Sequence, residues 1–297
     1  MTRRSTARDA AIESFRQARR LATMEQLRAR LSGRSAQILC YQDVHDAVKA
    51  KMGRILGLKE IPLDSIVGSV ERCADYTRAF LPLTDSAEKR WADIWNASPD
   101  KLPPIRVTQL GPIYFVVDGH HRVSVARRRG WTNLAAHVVQ AQSRVPISPN
   151  LQPHELHAIA EYTDFLERTR LDELCSEVDL SVSMLGQYPA LEEQIAAHRA
   201  LLEAVEKRQV GHQEAACRWI DEVYLPGVQA ILEEGAVQPS PGWTVTDLYL
   251  WVHKHDVTHG SISARSWRLG GFHRRGIAHT LLAMHTGRSL APGRPPW

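Results

Sequence analysis

The sequence predicts an α+β fold, and three observations carry that expectation. Residues 105–139 read as hairpin, turn, helix and strand. Residues 7–32 set apolar side chains at helical spacing among arginines. From Pro153 onward the pattern is helical, in segments 153–168, 189–208, 212–234 and 245–255. At 297 residues there is room for about two domains.

Along the chain, Ile12, Phe15, Ala18, Leu21, Leu27 and Leu31 recur near the 3.6-residue period of a helix, and Gly33 supplies a stop. A second helix is expected from Tyr41 to Met52, with Gly53 at its end. Glu60 to Leu63 and Ser65 to Gly68 read as a short strand and a turn. Helices are expected over 71–80 and 84–97, the latter with Trp91, Ile94 and Trp95 on one face before Pro99, Pro103 and Pro104. Ile105–Leu110 and Ile113–Val117 are rich in β-branched and aromatic residues and flank the turn Gly111-Pro112. Asp118-Gly119 breaks the second strand. His121–Arg129 is then helical, with arginines at its C-terminal end where the helix dipole favours them, and Gly130 stops it. Asn133–Val139 is a further strand candidate.

Hydrophobic residues make up 43% of the chain and charged residues 24%, which excludes wholesale disorder. No run approaches the ~18 uncharged apolar residues of a membrane span, and the start has no signal-peptide core. Cys40, Cys73, Cys175 and Cys217 form no CxxC pair, so reduced thiols in a cytoplasmic protein are expected. His253, His255 and His259 lack a completing carboxylate or thiolate set, and no metal site is expected. The net charge is +4. Residues 1–35 nevertheless hold nine arginines against Asp9, Glu13 and Glu25, and residues 256–297 hold six against Asp256. Basic ends of this kind suit a phosphate backbone, and they equally suit solvated tails.

The chemistry-bearing stretch is Asp118-Gly119-His120-His121-Arg122. A strand that turns directly into a helix leaves backbone N–H groups at the helix mouth, at the positive end of its dipole. Gly119 lets a ligand approach, His120 and His121 add donors, and Ser124 offers a hydroxyl. Arg122 brings a permanent charge that can bind two phosphate oxygens. Asp118 could cap the helix, hold a histidine tautomer or accept a proton. The bland alternative is a capped helix with two histidines packed beside a turn.

Residues Tyr114 to Ala126, which contain that turn, resemble the signature stretch of the ParB N-terminal/sulfiredoxin-like superfamily. Ile61 to Arg72 resembles the entry strand and Arg-bearing first box of such domains, and the two together cover residues 58–142. The resemblance extends to bacterial ParB-like proteins that share the basic N-terminal helix, Ile61-Pro62-Leu63, Gly68-Ser69 and Phe80-Leu81-Pro82. In partition proteins the Gly-x-x-Arg turn binds the triphosphate of CTP, and Gly119 and Arg122 match those positions. In related free-serine kinases a similar turn serves phosphoryl transfer. In sulfiredoxins a reactive cysteine stands where this chain has His120, so that chemistry lacks its nucleophile. Of the partition proteins' Glu-Asn-x-x-Arg box only Arg72 is comparable. Further on, Trp219–Pro226 and Pro241–Val252 resemble a bacterial helical module of unknown function, spanning residues 160–257, with Trp243 in place of its usual arginine. That likeness implies no activity, and Trp219, Tyr224, Tyr249 and Trp251 read as packing residues.

The resulting expectation is a basic N-terminal helical segment (1–53), a ParB/sulfiredoxin-like domain (54–145), an all-α module (146–258) and a basic, partly disordered tail (259–297). The resemblance implies a nucleotide-binding protein with a regulatory or DNA-associated role. Gly68, Ser69, Arg72, Gly119, His120, His121, Arg122 and Ser124 would bind a nucleoside triphosphate, CTP or ATP with Mg²⁺. DNA would meet the arginine-rich N-terminal helix, and a homodimer is the assembly the partition proteins imply. The alternative is a small-molecule phosphotransferase or nucleotide hydrolase, with Asp118, His120 or His121 as base and Arg122 stabilising phosphoryl charge.

Overall fold

The structure, a computed structural model, describes residues 2–33, 35–98, 101–175, 178–234 and 242–259. The expected tail therefore lies outside the described residues, apart from His259. The chain divides into two compact units, Met1–Thr163 and Asp164–Trp297.

The first unit is mixed α/β. Its elements in order are α1 (Thr2–Leu31), β1 (Leu39–Cys40), α2 (Tyr41–Val48), β2 (Lys51–Pro62), β3 (Ile66–Ser69), α3 (Glu88–Trp95), β4 (Ile105–Leu110), β5 (Ile113–Asp118), α4 (His120–Arg128) and β6 (Asn133–Gln142). The strands form one six-stranded sheet in the order β1-β3-β5-β4-β6-β2. β1, β3 and β5 run parallel, as do β4 and β6, while β4–β5 and β2–β6 are antiparallel. The β4–β5 hairpin closes through two residues, and Gly111 takes the positive φ (58°) that a type II′ turn requires at its first central position.

The sheet's buried face carries Ile61, Ile66, Ile105, Val107, Val116, Leu134, Ala136 and Val138, with Val123 and Ala126 of α4 packed on them. Val125, on another side of α4, joins Phe15 and Ala18 of α1 and Trp91 of α3 in a separate apolar cluster. α4 is thus held between the sheet and the α1–α3 pair. On the opposite face Tyr41 of α2 meets Phe115 edge-on, ring centroids 5.3 Å apart.

Three expectations change here. The helix begun at Tyr41 stops at Val48, because Lys49 turns left-handed (φ 46°) and Lys49 and Ala50 donate N–H bonds to Asp46 and His45 in a Schellman closure. Gly53 then lies inside the twelve-residue strand β2 rather than at a helix end. The segment 71–80 is not helical. Tyr76 and Phe80 are buried, as helical spacing suggests, but turns bury them, with Phe80 at φ 60° and isolated bridges Gln37–Thr77 and Tyr76–Pro82. Finally, Cys40 and Cys73 are joined in a disulfide, contrary to the expectation of reduced thiols throughout. The strand β1 sets Cys40 opposite Ser69, which brings it beside a cysteine four residues further on. No helix among the described residues is long and apolar enough to cross a membrane.

The second unit is helical: α6 (Leu171–Leu174), α7 (Tyr188–Glu206), α8 (His212–Trp219), α9 (Leu225–Glu234) and α10 (Val245–His259), with α5 (Leu156–Thr169) running across the boundary at residue 163. A π-helical turn, Ile220–Tyr224, joins α8 to α9. Trp219, Tyr224 and Tyr249 are buried and in ring contact, Tyr224 and Tyr249 at 4.9 Å. Trp251 differs from them: it is 37% exposed and faces Trp243. Asp247 anchors the start of α10 in a reciprocal cap. Its carboxyl accepts the Thr244 N–H (2.8 Å) and hydroxyl (3.0 Å), its own N–H donates to Thr244 Oγ1 (3.1 Å), and the Ser183 N–H adds a further donor.

Candidate functional site: the mouth of helix α4

β5 ends at Asp118, α4 begins at His120, and Gly119 alone makes the turn at φ +105°. A Cβ at position 119 would lie 2.5 Å from Ile105 Cγ2 and 3.0 Å from Arg122 Nε, so conformation and space both demand glycine. Val123 N–H donates to the Gly119 carbonyl at 3.0 Å as the first rung of the helix. The amides of the turn before it have no acceptor within the helix and point out of its positive end.

The β3 end closes on this mouth through Ser69, which is fully buried. Its Oγ accepts N–H bonds from Arg72 (2.8 Å) and Glu71 (3.3 Å) and lies 2.7 Å from His120 Nε2. The same hydroxyl lies 3.5 Å from the Val116 carbonyl, so Ser69 joins β5, the Arg72 turn and His120. Gly68, just before, permits this approach. A Cβ there would collide with the Leu39 carbonyl and would lie 2.6 Å from Phe115 Cδ1.

His121 Nδ1 pairs with the Tyr76 hydroxyl at 2.9 Å, and the Tyr76 ring stacks on His120 at 5.7 Å. Burial, reinforced by the Arg72 charge, pulls both imidazoles down to about 4, so both are neutral at pH 7. Arg90, exposed on α3, adds its charge at His121. Burial pushes the Tyr76 phenol up, leaving it protonated and able to donate to His121. Arg72 lies over the Tyr76 ring at 5.6 Å, with its Nε on Asp75 Oδ2 at 2.6 Å.

Arg122 and Ser124 face inward. Arg122 Nη1 donates to the carbonyls of Pro103 (2.5 Å) and Pro104 (2.7 Å), and Nη2 pairs with Asp118 Oδ2 (2.6 Å). Asp118 is therefore the partner of Arg122, and the helix cap is Gly119. Ser124 is buried and donates to the Phe80 carbonyl. Arg127 and the C-cap residue Arg129 act alike: Arg127 donates to the carbonyls of Leu63, Ile66 and Arg78, and Arg129 to those of Trp95 and Ala97, whereas Arg128 donates to the Gln17 side chain.

Gly68, Ser69, Arg72, Gly119, His120 and His121 are thus gathered at one place, with Arg122, Asp118 and Ser124 bracing it. Sequence reasoning missed Tyr76 and Arg90. Tyr76 lay in a segment read as helix, and its spacing to Phe80 hid its polar role. Among the described residues no group of three His, Cys, Asp or Glu side chains is placed to hold a metal ion. Fold and site together define a mixed α/β protein with a buried and a half-buried histidine at the mouth of a helix. No family model matches the chain, and no curated protein matches it.

Proposed function

We propose that this chain binds the phosphate of a nucleotide at the mouth of α4 and serves a regulatory or DNA-associated role. One observation carries the reading: Ser69 Oγ accepts the Arg72 backbone N–H and lies 2.7 Å from His120 Nε2, which ties the turn bearing Arg72 to the first turn of α4. An anion at the start of α4 would meet the positive end of the helix dipole beside the Arg72 side chain. His121, neutral and held at Nδ1 by Tyr76, offers its Nε2 proton as a further donor. Arg122 supports the turn from behind, and the ligand contact passes to Arg72. Bases that titrate near 4 are weak proton acceptors at pH 7, which favours binding over phosphoryl transfer. The exposed Arg8, Arg16, Arg20, Arg28 and Arg30 of α1 supply a surface for a nucleic acid backbone.

The test is a thermal-shift series with ATP, CTP, GTP and ADP, each with Mg²⁺, on the wild type and on Arg72→Ala. A ligand at about 100 times its Kd adds ~2.7 kcal/mol to the folded state. The expected result is a shift with at least one triphosphate that Arg72→Ala abolishes while the unliganded variant still melts cooperatively. No shift with any nucleotide would overturn the reading.

A further inference from the structure

We propose that Cys40 and Cys73 are a reversible thiol–disulfide pair whose redox state sets how firmly the Ser69–Tyr76 turn is held against α4. The proposal rests on the reading of that turn as part of the ligand site. Cys40 ends β1, where ladder pairing fixes it opposite Ser69. Cys73 follows Arg72 directly, and its Sγ also lies 3.6 Å from the Ser69 carbonyl. The bond therefore joins the edge of the sheet to the middle of the turn that carries Arg72, Asp75 and Tyr76. Both cysteines are half-buried, within reach of a small thiol.

Without the bond, the turn is held at this point by the buried Tyr76 ring and by polar contacts. Val70 N–H donates to the Val116 carbonyl, Ser69 Oγ caps Glu71 and Arg72, Arg72 pairs with Asp75, and Tyr76 reaches His121. Such contacts open locally far more readily than a covalent tie. The co-reactant is a dithiol. Its thiolate attacks one sulfur and the Cys40–Cys73 bond breaks. Two electrons and two protons pass to the pair as two S–H groups, and the dithiol closes to its own disulfide. Oxidised glutathione drives the reverse reaction. Arg72 and Tyr76 are then fixed relative to His121 in the oxidised chain and freer in the reduced one.

The experiment uses the full chain, equilibrated in glutathione buffers from reducing to oxidising. Alkylation with mass mapping identifies which thiols are free, and amide hydrogen exchange is followed over residues 70–76. Mapping also separates this pair from Cys175 and Cys217, whose sulfurs lie 2.9 Å apart. The expected result is protection of Cys40 and Cys73 from alkylation in oxidising buffer. Exchange over 70–76 should rise about tenfold or more on reduction, with α7 unchanged. Cys40→Ser and Cys73→Ser should each match the reduced wild type in every buffer. Alkylation of both residues at all glutathione ratios, or exchange over 70–76 that ignores their state, would overturn the proposal. ATP and CTP titrations in the two states serve as a separate readout. An exchange difference without any nucleotide binding would sink the phosphate reading and leave the redox pair standing.

Discussion

His120 and His121 are held neutral near pH 7 by burial and by the Arg72 charge, with folded values near 4 against an ordinary 6.5. The unfolded chain therefore binds protons first on acidification. Their contribution to stability is complete above about pH 6.5 and is lost as the pH falls towards 4. Urea midpoints should fall between pH 7 and pH 5, and His121→Gln should flatten that fall. Gly119→Ala forces a side chain into left-handed backbone and against Ile105, and should cost about 1–3 kcal/mol from the backbone alone, read by urea unfolding. Arg127→Met strands the carbonyls of Leu63, Ile66 and Arg78 and should cost roughly 2–4 kcal/mol. Arg127→Lys should recover little, because a compact ammonium lacks the planar fork that spans them. At this scale the sequence disclosed Gly119 through its turn chemistry. It could not disclose the inward direction of Arg122, which depends on Pro103 and Pro104 eighteen or more residues away.

The elements that were readable carry their own punctuation. Gly111, Gly119 and Gly130 bound β4, β5 and α4; Ile105 and Val107 alternate with Arg106 in β4, and β5 stands out as the apolar run Ile113–Val117. Of β2 only the end from Glu60 was readable, because only Ile61 along it is buried; the rest shows no apolar alternation and owes its form to pairing with β6. The 71–80 turns were unreadable because Tyr76 and Phe80 share the spacing of a helix face while long-range contacts set the backbone. Caps matter equally in the helical unit. Asp247→Ala removes the acceptor for Thr244 and Ser183 and should cost roughly 2–4 kcal/mol, with increased amide exchange at the start of α10.

Over the whole molecule the two compact units each have a core, one built on the sheet around Ile105, Val107 and Val116 and one on Trp219, Tyr224 and Tyr249. Trp219→Ala should cost about 3–5 kcal/mol, because it empties the largest ring from that second cluster. Hydrogen exchange should show the loss in α8 and α10 while β4 and β5 keep their protection. The helical nature of the C-terminal half was legible from spacing alone. The Ser69–His120 bond was not, since it joins residues 51 apart that only the sheet order brings together.

The sheet order has one more consequence. Its two outer strands are β1, of two residues, and β2, whose ladder is broken by bulges between Met52 and Gly57 and whose rim carries Lys51, Arg54 and Lys59. Neither border offers a long, flat template for another chain, although Met52, Ile55 and Leu58 stand exposed there. The cations along β2 thus act as a guard against polymerisation. Arg54→Val with Lys59→Val should leave the chain folded yet convert a clear concentrated solution into one that binds thioflavin T and scatters light.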